Sequence, residues 1–239
     1  MGRTALITGA SRGLGAALAR FLAGQDFDLV LTARGAGNLD AFARGIRNGG
    51  HRVVAVAGDV ADDGHRRRLV ATAETLGGLD LLVNNASELG PSPLVSLSEL
   101  PLPAFERLLA VNLLAPLGLV QAALPLLSAR QGLIVNVSSD AAVGGYPGWG
   151  GYGASKAALD LLSTTLASEL KERGVGVVAV DPGDMRTAMH QLAFPGEDIS
   201  NRPLPEVTMP FWAWLLGQAR NDVTGRRYRA QDATWEIAQ

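Results

Sequence analysis

Short apolar runs alternate along this chain with segments in which apolar residues recur at the spacing of a helix. Six runs predict strands, over residues 4–8, 29–33, 52–57, 79–84, 133–138 and 175–181. Five intervening segments predict helices, over residues 14–23, 39–47, 64–76, 104–127 and 154–173. Strands that are apolar throughout and alternate with helices are typical of a parallel sheet covered on both faces. The alternation therefore predicts a doubly wound α/β fold, in which ligands bind at the carboxyl ends of the strands.

Length and composition limit both the number of domains and the classes of function. The 239 residues, without a linker or an internal repeat, predict a single domain over residues 1–239. A net charge of −2 argues against broad electrostatic binding of nucleic acid or of an anionic membrane. The absence of cysteine excludes disulfides, thiolate catalysis and iron–sulfur clusters. His51, His65 and His190 lack metal-ligand spacing, so we predict no metal site and no histidine ligand or base.

The apolar segments also bear on location. The N-terminus leads directly into the first strand without an apolar stretch long enough for a signal peptide, which predicts a cytoplasmic protein. Residues 108–127 carry no charge and have the length of a membrane span. They also contain Asn112, Gln121 and two prolines, and a helix that is apolar on all sides can equally be buried in protein. We therefore predict a buried or interface helix.

A glycine-rich turn, residues 8–15 (TGASRGLG), joins the first strand to the first helix. Glycines permit a tight turn and a close approach of the backbone, and a helix N-terminus attracts phosphate. The spacing G-x-x-x-G-x-G differs from the G-x-G-x-x-G fingerprint, and such a turn can be a turn only. Its position at the first strand–helix junction favours binding of a dinucleotide pyrophosphate. The candidate contacts are Gly9, Ser11, Arg12, Gly13, Leu14 and Gly15.

Arg34 follows the second predicted strand, about twenty residues after the glycine turn. An acidic residue in this place favours NAD, whereas an arginine favours the 2′-phosphate of NADP. Arg12 lies on the same side, and two guanidiniums can hold a phosphate through charged hydrogen bonds. Both can also be ordinary surface arginines, since all but two of the 21 basic residues are arginine. The sequence predicts NADP(H) as the cofactor, with NAD(H) as the less favoured alternative.

Tyr152 and Lys156 stand four residues apart at the start of a predicted helix, which places them on one face. Ser139 ends the fifth predicted strand, and Asn112 lies in the preceding long helix. Reduction of a carbonyl needs a proton for the developing alkoxide and a donor that polarises the carbonyl. A phenol can supply the proton, although its ordinary pKa of about 10 is far from neutrality. A nearby ammonium lowers that pKa and makes the phenol a more efficient acid.

Taken together, these motifs resemble the short-chain dehydrogenase/reductase family, of the single-domain type. The matching pieces run in order along nearly the whole chain. They are residues 8–15, Asp59-Val60, Asn84-Asn85-Ala86, Asn112, Ser139, Tyr152 with Lys156, and Pro182-Gly183 followed by Thr187. The resemblance implies a Rossmann-like fold and an NADP(H)-dependent carbonyl reductase or alcohol dehydrogenase that acts on a small molecule.

The resemblance also implies a role for each matching residue. Tyr152 would be the general acid/base, and Ser139 would hydrogen-bond the substrate oxygen. Lys156 would bind the nicotinamide ribose and lower the pKa of the tyrosine, and Asn112 would hold a water that links this lysine to solvent. The implied cofactor contacts are Asp59 and Val60 at the adenine, Asn85 and Ala86 at the ribose, Tyr152, Lys156, Pro182 and Gly183, and Thr187 at the nicotinamide amide.

Some features depart from the family pattern or extend it. Ser87 replaces the glycine that usually follows Asn-Asn-Ala, which reduces the freedom of the backbone there. Tyr146 and Trp149 either line the substrate pocket or anchor their loop. Residues 184–210 would form a substrate lid, and the apolar helices 104–127 and 154–172 would pair across a two-fold axis in a homodimer or homotetramer.

Other functions stay open for the same fold. One is a catalytically silent NADP-binding sensor, against which the complete set of Tyr152, Lys156, Ser139 and Asn112 argues. A second is an NAD-dependent alcohol dehydrogenase. A third is a sugar-nucleotide epimerase or dehydratase, for which 239 residues leave little room for a substrate domain.

Overall fold

A seven-stranded parallel sheet forms the centre of the computed structural model, which describes residues 2–236. The strands are β1 (Arg3–Thr8), β2 (Phe27–Thr32), β3 (Val53–Ala55), β4 (Leu81–Asn84), β5 (Leu133–Val137), β6 (Gly176–Asp181) and β7 (Arg227–Arg229). Their order in space is β3-β2-β1-β4-β5-β6-β7, and every pairing is parallel. The chain therefore changes direction between β1 and β4, which opens a crevice at their carboxyl ends.

Helices cover both faces of this sheet. The α-helices are α1 (Gly13–Ala23), α2 (Ala36–Asn48), α3 (Asp63–Thr75), α4 (Leu102–Leu109), α5 (Ala115–Arg130), α6 (Gly150–Leu170), α7 (Ala188–Ala193), α8 (Met209–Leu216) and α9 (Arg220–Val223). Buried side chains of α1, α2 and α8 form one core layer, and those of α3, α5 and α6 form the other. The sheet separates the two layers.

Alternate residues of each strand serve these two layers. Leu29 and Leu31 of β2 point into the layer beneath α1, whereas Val30 between them points into the layer beneath α3. Because both faces are buried, both sets of side chains are apolar. This explains why the strands appear in the sequence as continuous apolar runs.

The predicted fold is confirmed, and the sheet contains one strand that the sequence analysis did not predict. All six predicted strands and all five predicted helices occur. The strand that the sequence analysis missed is β7, a three-residue segment at the sheet edge, Arg227–Arg229, in which only Tyr228 is buried. Such a short polar segment lacks the apolar pattern of a strand, and its pairing with β6 defines it.

The long apolar helix contains a break. Residues 102–130 run as α4, a π-helical turn over Ala110–Leu114, and α5. By length and composition this run, Leu102–Arg130, is capable of crossing a membrane, with a mean hydropathy of 1.8. Its residues Leu119 and Ala123 are fully packed in the core layer with α3. The run therefore acts as a sheet-covering helix, and the cytoplasmic location stays a prediction.

His65 lies buried on α3 beneath the loop that follows β3. Its side chain exposes none of its surface, and Nε2 is 2.8 Å from Oγ1 of Thr32. The ring also fills the space beside Gly58, where a Cβ atom would lie 2.3 Å from Nδ1. Burial, reinforced by the charge of Arg68, holds the pKa of His65 below its ordinary value, against the opposing carboxylates of Asp62 and Asp59.

This histidine gives the fold a pH dependence. Below about pH 6.5 the unfolded chain binds a proton that the folded imidazole does not. The contribution of His65 to the free energy of unfolding should therefore be fully present above about pH 6.5. At lower pH the free energy of unfolding should decrease, by at most about 1.4 kcal/mol per pH unit. Urea unfolding across this range measures the slope. His65→Gln should lose this part of the slope, and the control His51→Gln should keep it. Identical slopes in wild type and His65→Gln would contradict the assignment.

Candidate active site

A cavity of about 720 Å³ lies at the carboxyl ends of the strands. It is lined by the glycine turn, by the loops after β2 to β6 and by residues of the 184–210 segment. The predicted site residues that line it are Gly9, Ser11, Arg12, Gly13, Leu14, Arg34, Asp59, Val60, Asn85, Ala86, Ser139, Tyr152, Lys156, Pro182, Gly183 and Thr187. Gly15 and Asn112 do not line it, and both are buried behind residues that do.

The glycine turn has the backbone geometry that its composition indicates. Gly9 and Gly13 have φ angles of +67° and +56°, which side-chain-bearing residues rarely adopt. A Cβ atom on Gly9 would lie 2.9 Å from Cα of Ala86, and one on Gly15 would lie 2.4 Å from the carbonyl oxygen of Gly9. Gly15 therefore lets α1 pack against the turn, and it is buried rather than lining the cavity.

The end of β1 is fastened to the loop after β4 through Thr8. Its buried hydroxyl accepts hydrogen bonds from the backbone N–H groups of Asn85 (3.0 Å) and Ala86 (2.9 Å) and donates to the carbonyl of Val83 (3.3 Å). The side-chain amide of Asn85 donates in return to the carbonyls of Thr8 (2.8 Å) and Gly9 (3.3 Å). The Asn85 side chain thus holds the glycine turn from one side. The other side of the turn faces the cavity.

Tyr152 and Lys156 lie near the start of α6, and both are almost fully buried. Nζ of Lys156 donates to the carbonyl of Val137 at 2.7 Å and lies 5.6 Å from the centre of the Tyr152 ring. Burial lowers the pKa of Lys156 to about 8, although Asp160 acts against this shift. The ammonium is therefore held beside the phenol ring by the end of β5.

Burial acts on the phenol in the opposite direction. It raises the pKa of Tyr152 to about 12, against hydrogen bonds with the hydroxyls of Ser139 and Ser87 that lower it. Lys156 is not among the groups that act most strongly on this phenol. In the protein by itself, the hydrogen bonds of the two serines are the strongest influences that favour the phenolate.

Ser139 is held by its neighbours at the end of β5. Its hydroxyl donates to the carboxylate of Asp140 (3.0 Å) and accepts from the backbone N–H of Ala141 (3.2 Å). Its carbonyl accepts a 2.8 Å hydrogen bond from Arg227 of β7, which also binds Asp160 (2.9 Å) and Asp181 (3.3 Å). Arg227 thus ties β5, β6 and α6 together, a role that depends on a strand the sequence analysis missed.

Asn112 occupies the π-helical turn between α4 and α5 and exposes none of its surface. Its Oδ1 accepts from the hydroxyl of Ser87 (3.1 Å) and from the backbone N–H of Glu88 (2.9 Å). Its Nδ2 donates to the carbonyl of Glu88 (2.9 Å) and to the hydroxyl of Ser155 (3.0 Å). Since the protein occupies the side chain, the water that the family resemblance implies would have to bind the backbone of this turn.

An ion-pair network surrounds the end of the cavity near β2 and β3. Arg34 binds Glu88 at 2.6 Å, and Arg107 binds both Glu88 (2.9 Å) and Asp59 (2.7 Å). Asp59 also accepts a hydrogen bond from the N–H of Ala61 (2.9 Å). Burial tends to raise the pKa of Asp59, but this hydrogen bond and the two arginines hold it below its ordinary value. Sequence reasoning missed Glu88 and Arg107. The local signal for Glu88 is a charge placed just after β4, whereas Arg107 lies on α4 and becomes its neighbour only through folding.

Apolar side chains close the opposite end of the cavity, around Tyr152. Trp149 packs edge-on against Tyr152, with ring centres 5.8 Å apart, and lies 6.2 Å from Phe194. Tyr146, Met189 and His190 also line this end. Tyr146 and Trp149 are therefore both at the cavity. His190, to which the sequence analysis gave no role, belongs to its wall.

Thr187 lines the cavity and also begins α7. Its hydroxyl accepts a hydrogen bond from the backbone N–H of His190 at 3.1 Å, which caps the helix. Its methyl group lies opposite Gly13, where a Cβ atom would be in ordinary contact at 3.5 Å. The helix cap fixes the start of the 184–210 segment beside the glycine turn.

Comparison with known proteins identifies the fold and the family it belongs to. A model of the short chain dehydrogenase family matches residues 3–198. The bovine dehydrogenase/reductase SDR family member 4 is 37% identical over 193 residues, which cover 80% of this chain and 68% of the relative. The 2-(R)-hydroxypropyl-CoM dehydrogenase of Xanthobacter autotrophicus is 35% identical over 211 residues, or 87% and 84%. A short chain dehydrogenase of Shigella flexneri, solved in complex with NADP, superposes with a TM-score of 0.89 at 31% identity and covers 96% and 97%.

The Thr8 hydroxyl gives a testable prediction for the architecture of the site. Thr8→Val keeps the shape of the side chain but leaves the N–H of Ala86 without its acceptor, and the N–H of Asn85 keeps only the carbonyl of Val83 at 3.1 Å. We expect the free energy of unfolding to fall by about 1–3 kcal/mol or more, measured by urea denaturation. Thr165→Val removes an exposed hydroxyl from α6 and should change it by less than about 0.5 kcal/mol. Equal losses in the two variants would show that the Thr8 contacts do not hold the turn.

Proposed function

The chain belongs to the short-chain dehydrogenase family of oxidoreductases, and we propose that it transfers a hydride between NADP(H) and a carbonyl or alcohol substrate, with Tyr152 as the general acid/base. One observation carries this proposal. A single cavity has a glycine turn and two arginines at one end, and the buried Tyr152, Lys156 and Ser139 at the other. A nucleotide phosphate and a reacting carbonyl thus have suitable partners within one site.

The residues at the glycine turn fit a dinucleotide phosphate. Gly9 and Gly13 allow close approach of the backbone, and the first turn of α1 carries neither an acidic residue nor a side-chain cap. Its N–H groups and the positive end of the helix dipole are therefore free to meet an anion. Arg12 and Arg34 also line the cavity, and they favour NADP(H) over NAD(H). The NADP complex of the Shigella relative supports the same choice.

The protein's own groups would handle the proton and orient the carbonyl. When bound, NADPH supplies the hydride. Ser139 would donate a hydrogen bond to the substrate oxygen after its hydroxyl turns from Asp140. Tyr152, whose pKa lies near 12, stays protonated at neutral pH and would donate this proton to the oxygen as negative charge develops there. Lys156 would stabilise the resulting phenolate through its charge.

The apolar side chains around Tyr152 support an apolar carbonyl compound as substrate. Trp149 and Phe194 pack beside Tyr152, and Leu89 and Met189 complete this apolar wall. Aromatic rings and thioethers bind uncharged, bulky groups better than carboxylates or phosphates. We therefore place an uncharged ketone or aldehyde, or the matching alcohol, at this end.

Exposed leucines support self-association. Leu102 is 73% exposed, Leu114 57% and Leu161 70%, and they lie on the α4–α5 run and on α6. Large apolar side chains on adjoining helices are typical of a subunit interface. We propose a homodimer or homotetramer that buries these helices.

Tyr152→Phe tests the proposed acid. The variant keeps the ring but cannot donate the proton, so turnover should fall by about 10²- to 10⁴-fold while NADPH still binds. The loss of reduced-nicotinamide absorbance over a panel of ketones and aldehydes measures turnover, and calorimetry measures binding. Tyr228→Phe is the control because its hydroxyl is buried without a partner in the described chain. Normal turnover of Tyr152→Phe would refute the assignment.

Arg34→Asp tests the choice of cofactor. The substitution replaces the expected phosphate partner with a like charge, so the preference for NADPH over NADH should fall. Charged hydrogen bonds are worth about 10- to 150-fold in affinity, and the 62% exposure of Arg34 favours the lower end, about tenfold. Arg44→Asp makes the same charge change at an exposed position on α2 and should leave the preference unaltered. The ratio of kcat/KM values for the two cofactors is the measurement, and an unchanged ratio in Arg34→Asp would refute the role of Arg34.

A further inference from the structure

Arg34, the proposed partner of the 2′-phosphate, is already paired with a carboxylate of the protein. Its Nη1 lies 2.6 Å from Oε1 of Glu88. Arg34 follows β2 and Glu88 follows β4, and β1 with the glycine turn lies between these two strands in the sheet. The ion pair therefore links the two loops on either side of the glycine turn, and both residues line the cavity.

Glu88 is held firmly and independently of Arg34. Nε of Arg107 lies 3.2 and 3.1 Å from the two oxygens of Glu88, and Nη2 lies 2.9 Å from Oε1. The backbone N–H and carbonyl of Glu88 bind the amide of Asn112, each at 2.9 Å. These contacts keep the carboxylate in place if Arg34 moves away.

Arg34 is the movable partner of the pair. Its side chain is 62% exposed, against 20% for Glu88, and it reaches the carboxylate through one terminal nitrogen. An exposed ion pair of this kind is weak, because water screens it and the long side chain loses rotational freedom. An incoming anion can therefore replace Glu88 as the partner of Arg34, while Glu88 remains bound to Arg107.

We propose that Glu88 competes with the 2′-phosphate of NADP(H) for Arg34 and so determines how strongly the protein prefers NADP(H) over NAD(H). This inference rests on the proposed function. A 2′-phosphate that binds Nη1 of Arg34 must displace the carboxylate, and it then lies near a fixed negative charge. NAD(H) has no 2′-phosphate and meets neither cost. Glu88 therefore lowers the affinity for NADP(H) selectively.

The charges around the site support this direction. Arg34, Glu88, Arg107 and Asp59 together carry no net charge. If Glu88 is made neutral, Arg107 keeps its partner Asp59, and Arg34 becomes available to the ligand. The nucleotide then meets one additional positive charge at the end of the cavity where the phosphate is expected.

Glu88→Gln tests the proposal by calorimetric titration of the purified full-length chain with NADPH and with NADH. The amide retains the size of the side chain and removes its charge. We expect the Kd for NADPH to fall about two- to tenfold, the range for relief of one exposed ion pair and its repulsion, and the Kd for NADH to change less than about twofold. Glu169→Gln, an exposed change on α6, should alter neither Kd.

A double-mutant cycle tests whether the effect of Glu88→Gln depends on Arg34. In an Arg34→Ala background, Glu88→Gln should bring a smaller gain in NADPH affinity, because only the repulsion between Glu88 and the phosphate remains to be relieved. Glu88→Asp provides a second variant in case the glutamine variant does not fold. Its carboxylate is one methylene shorter and should withdraw from the single nitrogen of Arg34, so NADPH affinity should again rise. Thermal unfolding of each variant verifies that it is folded.

The outcomes separate this inference from the proposed function. If Arg34→Ala weakens NADPH binding while Glu88→Gln leaves it unchanged or weaker, the competition is refuted and the cofactor assignment stands. A gain of the same size in the Arg34→Ala background would also refute it. If the wild-type protein binds neither nucleotide, the proposed function fails, and the inference fails with it.

Discussion

The hydroxyl of Thr8 fixes the geometry on which the site depends. Situated where the sheet changes direction, it accepts two hydrogen bonds from the loop after β4 and so holds that loop against the end of β1. The approach is close enough that Gly9 has no room for a side chain beside Ala86. A parallel sheet leaves such loops without ladder partners, so a buried side chain has to satisfy them. This hydroxyl and the side-chain amide of Asn85 together hold the glycine turn in place.

Burial gives the two ends of the cavity opposite electrostatic character. Around Tyr152 and Lys156 the low-polarity surroundings disfavour charge, which raises the pKa of the phenol and lowers that of the amine. Both shifts disfavour charge, so the phenol stays protonated at neutral pH, whereas the amine, with a pKa of about 8, is still mostly charged there. At the other end, two arginines and two carboxylates form ion pairs whose charges cancel. Chemistry and nucleotide selection thus occupy separate electrostatic environments.

Nearly all of the site residues that the sequence predicted line the cavity, but the sequence was less informative about their tasks. Asn85 and Thr187 were expected to contact the cofactor, and the structure adds that the Asn85 side chain binds the glycine turn and that the Thr187 hydroxyl caps α7. Asn112 was expected to hold a water, but four protein contacts occupy its amide. A motif specifies which residue type stands at a position. Its hydrogen-bond partners depend on neighbours that come from distant parts of the chain.

The sequence by itself determined the alternation of strands and helices, the glycine turn and the spacing of Tyr152 and Lys156, because each depends on local periodicity or backbone conformation. Only the tertiary structure decided that Arg34 pairs with Glu88, 54 positions away, and that Arg227 binds Ser139, 88 positions away. Such pairs leave no local pattern, since sheet order rather than sequence order makes them neighbours. The conformation of a segment is a short-range property, whereas the charge that a side chain meets is set by the packing of the whole chain.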